Sequence, residues 1–483
     1  MVKKVLCLLL LLCVLLPTVI ACSKNGDGGA DSSLSTDSDT EVDESTQEES
    51  GGAPIPYMED FGGYKFRVLT RGSGSFTGDD ITGDMSGSIL SQATYRRNAY
   101  CKDKYNFDVV EYKEKKWVEK ARTVAASSED VYDMWSFNMN DIPSLAQEGY
   151  LYDLNKVSGI NLDAEYYDQT ARKQGSFANR LFYLTGDLLY WDDFAVMCLA
   201  FNWEIWKNNS LSDMYGKDPY ELVESGEWTL DKYIALCKKA TYDTGDGIMD
   251  ENDYWGTTIA NTDILTYNIG MGNELLMKDN DDLFILNDTP KQINDLTTLM
   301  AFFSDSSCCT ETLAGQATFM RGYALFASMA FGSLGGSVRT NLEDYGVVPF
   351  PKADVDQTDY FAFVSTYQSN CITIANSVKD VDKTASIIEL LSYESMSTLT
   401  PATEKYLFEG RSVDHAEDVE MMRICVKNKK YELCWLWDTG SLYSTMTDVK
   451  KNSGTGITSA FQSCKSAVEE SVQRKLERLS VLP

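Results

Sequence analysis

The sequence predicts an α/β protein, on three observations. Short apolar, strand-like runs alternate with stretches of helical periodicity over most of the chain, the pattern of βαβ units forming a mostly parallel sheet. The 483 residues are too many for one domain of ordinary size and suggest two or three domain-sized units. A content of 43% hydrophobic and 12% aromatic residues is enough to fill a large core.

Taken in order, Tyr64 to Thr70 alternates and predicts a strand. Gly72 to Gly87 is a Gly/Ser/Asp loop, and Ser88 to Tyr105 predicts a helix with Ile89, Ala93, Tyr100 and Tyr105 turned inward. Phe107 to Tyr112 predicts a second strand, Trp117 to Ala126 a helix, Asp130 to Trp135 a strand and Pro143 to Gly149 a short helix. Gly186 to Asn202 (GDLLYWDDFAVMCLAFN) reads as two short buried strands around a wet knot of Tyr190, Trp191, Asp192 and Asp193. Thr229 suits an N-cap, with Leu230, Tyr233, Ile234 and Cys237 on one helix face. Asp282 to Leu286 predicts a strand and Pro290 to Phe303 a helix. Ala324 to Phe331, Tyr345 to Phe350 and Cys371 to Ala375 predict three more strands. Asp382 suits the cap of a helix through Leu391, and Thr458 to Leu479 predicts a long C-terminal helix.

Charge narrows the partners. With 43 basic against 73 acidic residues the net charge is −30, which opposes nucleic-acid binding through phosphates. At the N-terminus, Lys3 and Lys4 precede an apolar run too short to span a membrane, and Ala21-Cys22 marks a cleavage site. The pattern resembles a bacterial lipobox, which implies a signal peptide over 1–21 and lipidation of Cys22. From there to residue 56 the chain is Ser, Asp, Glu, Gly and Thr, the composition of a disordered acidic tether. The body then begins near Phe61. Three of the twelve cysteines belong to the signal region; the remaining nine are odd in number, and vicinal Cys308-Cys309 bridges poorly. So many free thiols on an exported chain fit an organism living without oxygen. No CxxC occurs, so neither a zinc ribbon nor a thioredoxin-like site is indicated.

Four stretches together resemble the bacterial extracellular solute-binding proteins of the sugar-binding type, the lipoprotein components of ABC importers. VYDMWSFNMNDIPSLAQEGYLYDL (131–154) is similar to that family's strand, ligand loop and helix. The stretch 186–202 resembles its crossing into the second lobe, EWTLDKYIALCKKAT (227–241) its Trp-Thr helix, and YGVVPFPKAD (345–354) its Gly-Val-x-Pro strand. The resemblance runs from about Phe61 to the C-terminus. It implies a two-lobe periplasmic-binding-protein-like fold of type II, whose lobes close on a ligand. It places lobe I at 57–189 and 366–410 and lobe II at 190–365 and 411–483. It implies a monomer, held by its lipid at the outer face of the cell membrane, that passes a mono- or oligosaccharide to permease subunits. Binding of a peptide or another polar solute, or a surface adhesion or sensing role, are the alternatives.

A sugar needs stacking aromatics and hydrogen-bonding groups. The resemblance puts Trp135, Asn138, Asn140 and Asp141 in the first-lobe ligand loop, and Trp191 with Asp192 and Asp193 at the crossing. On an extended chain the two aspartates point to opposite sides, so one of them faces a ligand. Phe331 follows a strand where relatives carry Trp; Trp435, Trp437 and Asp438 occupy a stretch that contributes aromatics to the cleft. A core position fits Trp135 and one of Trp435 and Trp437 equally, a solvated turn fits Trp191 with its aspartates, and the missing Trp weakens the case for Phe331. Asp243 to Asp253 resembles a calcium loop with Asp246, Asp250 and Asp253 as ligands, broken by Tyr242 and Thr244 at its first two ligand positions; the break favours an acidic surface turn over a calcium site. No cofactor is otherwise expected. Common nucleophile, zinc and nucleotide motifs are absent, and the one histidine, His415, lies in a polar run and is expected to be exposed. A non-enzymatic protein is expected; a glycosidase, which needs only two carboxylates, is the enzymatic alternative.

Overall fold

Strand-forming runs and amphipathic stretches sort into two main sheets backed by helices, with two further two-stranded pairs. The computed structural model describes residues 60–73, 77–310, 315–409, 412–413 and 415–482. The signal, the tether and Cys22 lie outside the described residues. In chain order the strands are β1 (Tyr64–Arg71), β2 (Phe107–Glu114), β3 (Met134–Asn138), β4 (Met197–Asn202), β5 (Trp255–Thr258), β6 (Leu276–Lys278), β7 (Phe284–Leu286), β8 (Cys309–Thr310), β9 (Ala324–Ala330), β10 (Tyr345–Val348), β11 (Ala362–Phe363), β12 (Asn370–Thr373) and β13 (Lys429–Lys430).

The first sheet has the order β12-β3-β1-β2, with β1 parallel to β2 and β3 and with β12 antiparallel to β3. The second has the order β10-β4-β9-β5-β8; β4 runs against both its neighbours and β5 runs with both of its own. Both sheets are therefore mixed, which corrects the expectation of mostly parallel pairing. The antiparallel strands β4 and β12 are the ones that follow directly on a passage between the sheets. β3, β4, β9 and β10 are entirely buried and carry few charged residues, whereas β1 alternates over its first half, with Lys65 exposed and Phe66 buried.

Two passages run side by side. Ser365 N donates to Ala195 O (3.0 Å), and Val196 bridges Val364. β13 lies along β11 on their flank, with Val364 N donating to Lys430 O at 2.8 Å. Chain leaving the first sheet and chain returning to it are thus stitched into one narrow ribbon, the usual construction of a hinge.

Several expectations shift. In the helix Ile89–Tyr105 the buried stripe is Leu90, Ala93, Arg97, Cys101 and Tyr105, so Ile89 and Tyr100 face solvent, against expectation. The strand expected over 130–135 starts at Met134, because the Asp133 carboxylate before it is taken by Arg67 and Tyr64. Asp380, rather than Asp382, caps the helix Val381–Ser395. The first half of 186–202 is no strand: Gly186 turns the chain at φ +142°, Leu188 O accepts from Arg97 (2.9 Å), and Trp191–Phe194 is one helical turn. His415 is half-buried, with Nε2 at 3.1 Å from Asp344 and its ring against Trp203. All nine body cysteines are buried free thiols, and the Cys308 and Cys309 sulfurs stand 3.8 Å apart.

Candidate functional site

In open α/β sheets ligands sit beyond the carboxyl ends of the strands. In the first sheet those ends are Arg71 on β1 and Asn138 on β3, joined by Asn370 opposite Asn138 on β12. Arg71 is buried, donates from Nη1 to Asn370 Oδ1 (3.3 Å), and lies 5.1 Å from the Trp117 ring centre. Trp117 Nε1 in turn donates to Asp141 (2.7 Å). Asp141 and Tyr367, about half exposed, are both within electrostatic range of the guanidinium. Asn138 Oδ1 is buried with no hydrogen-bond partner.

In the second sheet β5 and β9 end at the same side as the passage, since Phe331 N donates to Val196 O at 3.0 Å. Here the buried Asp263 and Ser328 side chains face one another, the Ser328 hydroxyl favouring the charged carboxylate, and Asp263 Oδ2 accepts from Ala260 N at 2.8 Å. Burial pushes the Asp263 carboxyl up to about 6. Between the two sheet ends stands Trp435. It stacks on Phe363 (5.7 Å, 16°) and on Tyr443 (5.8 Å, 22°), and its carbonyl accepts from Asn140 Nδ2 at 3.5 Å. The contact from Asn140 bridges the end of β3 to the second sheet's side.

Beneath the ribbon lies a charge cluster. Lys429 Nζ is 2.8 Å from Asp168, 3.7 Å from Asp193 and 3.8 Å from Asp192. Tyr431 donates to Asp168 at 2.7 Å. Burial opposes charge on Asp168, yet Lys429 and Tyr431 more than offset it and hold the carboxyl below its ordinary value. Burial, reinforced by Asp193, pushes Asp192 well up; its Oδ1 has no partner. Asp187 is raised to about 7 by burial and by Asp193.

The residues singled out from the sequence separate into groups. Asn138, Asn140, Asp141 and Trp435 gather at the two sheet ends. Asp192 and Asp193 sit on one helical turn and both face Lys429, rather than opposite sides of an extended chain. Trp191 is half-buried beside Tyr190, whose hydroxyl accepts from Asp79 N at 3.0 Å. Trp135, Phe331 and Trp437 are buried: Trp135 stacks on Phe137, and Trp437 packs on Phe177 and Phe284. Trp435 and Trp437 diverge because Leu433–Leu436 is helical. Asp438 is exposed at φ +42°, beside Lys475. In the acidic loop both Asp253 oxygens accept backbone N–H groups, from Thr244 at 2.7 Å and Asp250 at 2.6 Å. Among the described residues no group of three or more His, Cys, Asp or Glu could hold a metal ion. Arg71, Trp117, Tyr367, Asp263, Ser328 and Lys429 went unnoticed in the sequence. Only Arg71 carried a signal, as a charged residue closing a strand.

No protein-family model matches the chain, and no curated protein matches it in sequence. Solved structures do. One is the galacto-N-biose/lacto-N-biose I-binding protein of a Bifidobacterium longum ABC transporter, with TM-score 0.57 and 10% identity over 87% of this chain and 99% of that one. The cyclic α-maltosyl-1,6-maltose binding protein of Arthrobacter globiformis gives TM-score 0.57 and 12% identity over 85% and 100%. A designed esterase gives 0.55 and 14% over 86% and 100%. This chain has the two-lobe fold of the periplasmic binding proteins. At these identities the likeness concerns the fold, and the chemistry rests on the side chains above.

Proposed function

We propose that this protein captures a carbohydrate outside the cell and delivers it to an ABC importer, tethered through lipid on Cys22. The observation that carries the reading is the pair of sheet ends linked through Trp435 beside a hinge ribbon. One offers Arg71, Trp117, Asn138 and Tyr367; the other offers Asp263, Ser328 and the Trp435–Tyr443 stack. Hydroxyl donors and acceptors beside flat aromatic faces are what a sugar ring requires. Two of the solved proteins with this fold bind oligosaccharides, which supports the class. A ligand touching both ends stabilises the closed arrangement and leaves the open one unaffected. With catalysis not required, the acids act as hydroxyl acceptors.

A thermal-shift screen against a glycan panel tests this. A ligand at about 100 times its Kd stabilises the fold by about 2.7 kcal/mol. A shift with peptides and none with glycans overturns the sugar class; glycan turnover by purified protein overturns the binding role. Trp435→Ala is expected to lose a ligand-induced fluorescence change; unchanged affinity returns Trp435 to a packing role between Phe363 and Tyr443. No helix of the described residues is long and apolar enough to cross a membrane. Palmitate labelling of cells, lost in Cys22→Ala, tests the anchor.

A further inference from the structure

We infer that the captured solute carries a carboxylate, and that Arg71 selects for it. The inference rests on the carbohydrate reading and narrows it to saccharides bearing a uronic acid. Two buried arginines on the first lobe provide the comparison. Arg97 has every nitrogen engaged: Nη1 to Leu188 O (2.9 Å) and Ser395 Oγ (3.2 Å), Nη2 to Asp80 O (2.8 Å) and Ile81 O (3.4 Å), and Nε to Asn98 Oδ1 (3.0 Å). Those bonds knit the helix Ile89–Tyr105 to the loop before it and to Leu188. Arg97 is structural.

Arg71 is almost as buried, at 5% exposure, and makes one hydrogen bond, at 3.3 Å to a neutral amide. Its Nε is buried without an acceptor, and among the described residues it makes no ion pair within 4.0 Å. A guanidinium does not shed its proton at any working pH, so a charge held this way is under-compensated. The acids in range, Asp141 and Asp80, offset part of it at longer distance. Asp141 is engaged by Trp117 Nε1, and Asp80 is itself pushed up to about 7 by burial and by Glu111.

Orientation specifies the missing partner. The Trp117 ring covers a face of the guanidinium and Asn370 holds Nη1, which leaves the Nε–Nη2 edge. That edge takes a carboxylate through two parallel N–H···O bonds. A neutral diol answers the two donors but not the charge; a carboxylate answers both. The edge stands at the carboxyl end of β1, beside Asn138 with its free Oδ1, where a ligand is expected in any case.

Calorimetry with a panel of uronate disaccharides, digalacturonate among them, set against the same disaccharides with the carboxyl reduced to CH2OH, tests the inference. The acidic members are expected to bind at least ~10-fold tighter, the weight of a charged hydrogen bond. That margin is expected to vanish in Arg71→Gln and to survive in part in Arg71→Lys. Equal or tighter binding of the neutral members, or no binding by either set, overturns the inference; the carbohydrate reading falls only if the wider glycan panel also fails to shift the melting temperature. A ligand-free measurement adds a second arm. Arg71→Met is expected to melt at or above the parent temperature, because an under-compensated buried charge is removed, while Arg97→Met melts well below it. A large fall in Arg71→Met makes Arg71 structural and also overturns the inference.

Discussion

At Lys429 one ammonium faces Asp168, Asp192 and Asp193 within 4 Å, directly under the two passages that join the sheets. Burial opposes its charge, but the three carboxylates more than offset this and raise its proton affinity. Removing it strands the acids. Lys429→Met is expected to cost about 3–5 kcal/mol in urea unfolding at pH 7, as for other broken buried pairs; a loss under 1 kcal/mol shows that the cluster is solvated. Asp187 makes the opposite statement. Its folded-state pKa of about 7 lies above the ordinary 3.8, so between pH 4 and 7 the folded state binds more protons than the unfolded one. Stability from this group is complete below pH 4 and declines as pH rises to 7. Asp187→Asn is therefore expected to stabilise at pH 7.5 by about 2–4 kcal/mol, since each tenfold change in proton affinity is worth about 1.4 kcal/mol. The advantage is expected to be gone near pH 4. An advantage unchanged across that range rules out the titration.

At the scale of elements, the apolar letters of 186–202 conceal its shape. A β-carbon at Gly186 would stand 2.1 Å from Tyr166 O, at a φ that L-residues avoid. Gly186→Ala is expected to cost about 2–5 kcal/mol, from strain plus overpacking, read as a lowered midpoint of denaturation. The turn it makes delivers Trp191–Phe194 as helix, which is why Asp192 and Asp193 share one partner. The acidic loop is closed from within: Asp253 accepts from the Thr244 and Asp250 amides. Asp253→Ala is expected to cost about 1–3 kcal/mol locally, seen as faster hydrogen exchange at those two amides. Exchange unchanged at both leaves the loop held by other bonds.

Across the whole molecule, nine buried thiols occupy both lobes and no disulfide joins them. Burial raises those of Cys198, Cys237, Cys371 and Cys434 well above the ordinary range, which makes them poor nucleophiles. A thiol reagent is expected to find none of the nine in the folded body and all nine in denaturant. Two or more reacting promptly in the native state would reveal open regions. Ligand closure belongs at this scale too. Solution scattering is expected to show a smaller radius of gyration with ligand than without it; an unchanged radius rules out closure on the ligand.

How much was legible follows from what each feature depends on. Strands at 64–71 and 107–114 and helices at 89–105, 230–240 and 290–303 were readable, because their signals are periodicity and capping, both local in the chain. The two-lobe fold was readable through four spaced stretches in order, by their resemblance to a known family. The parallel or antiparallel sense of β4 and β12 was not, because it depends on the direction in which a passage returns. Trp135, Trp435 and Trp437 look alike as letters; burial against Phe137, half-burial between Phe363 and Tyr443, and burial against Phe284 separate them. The sequence by itself determined most of the elements and the net negative charge, since these are set by residues near one another along the chain, and the two-lobe fold through its resemblance to a known family. Only the tertiary structure decided that Lys429 holds Asp168, Asp192 and Asp193 together, and that Arg71 is left with one weak acceptor where Arg97 has five. Partnership of buried charge is a property of positions hundreds of residues apart, and no local pattern encodes it.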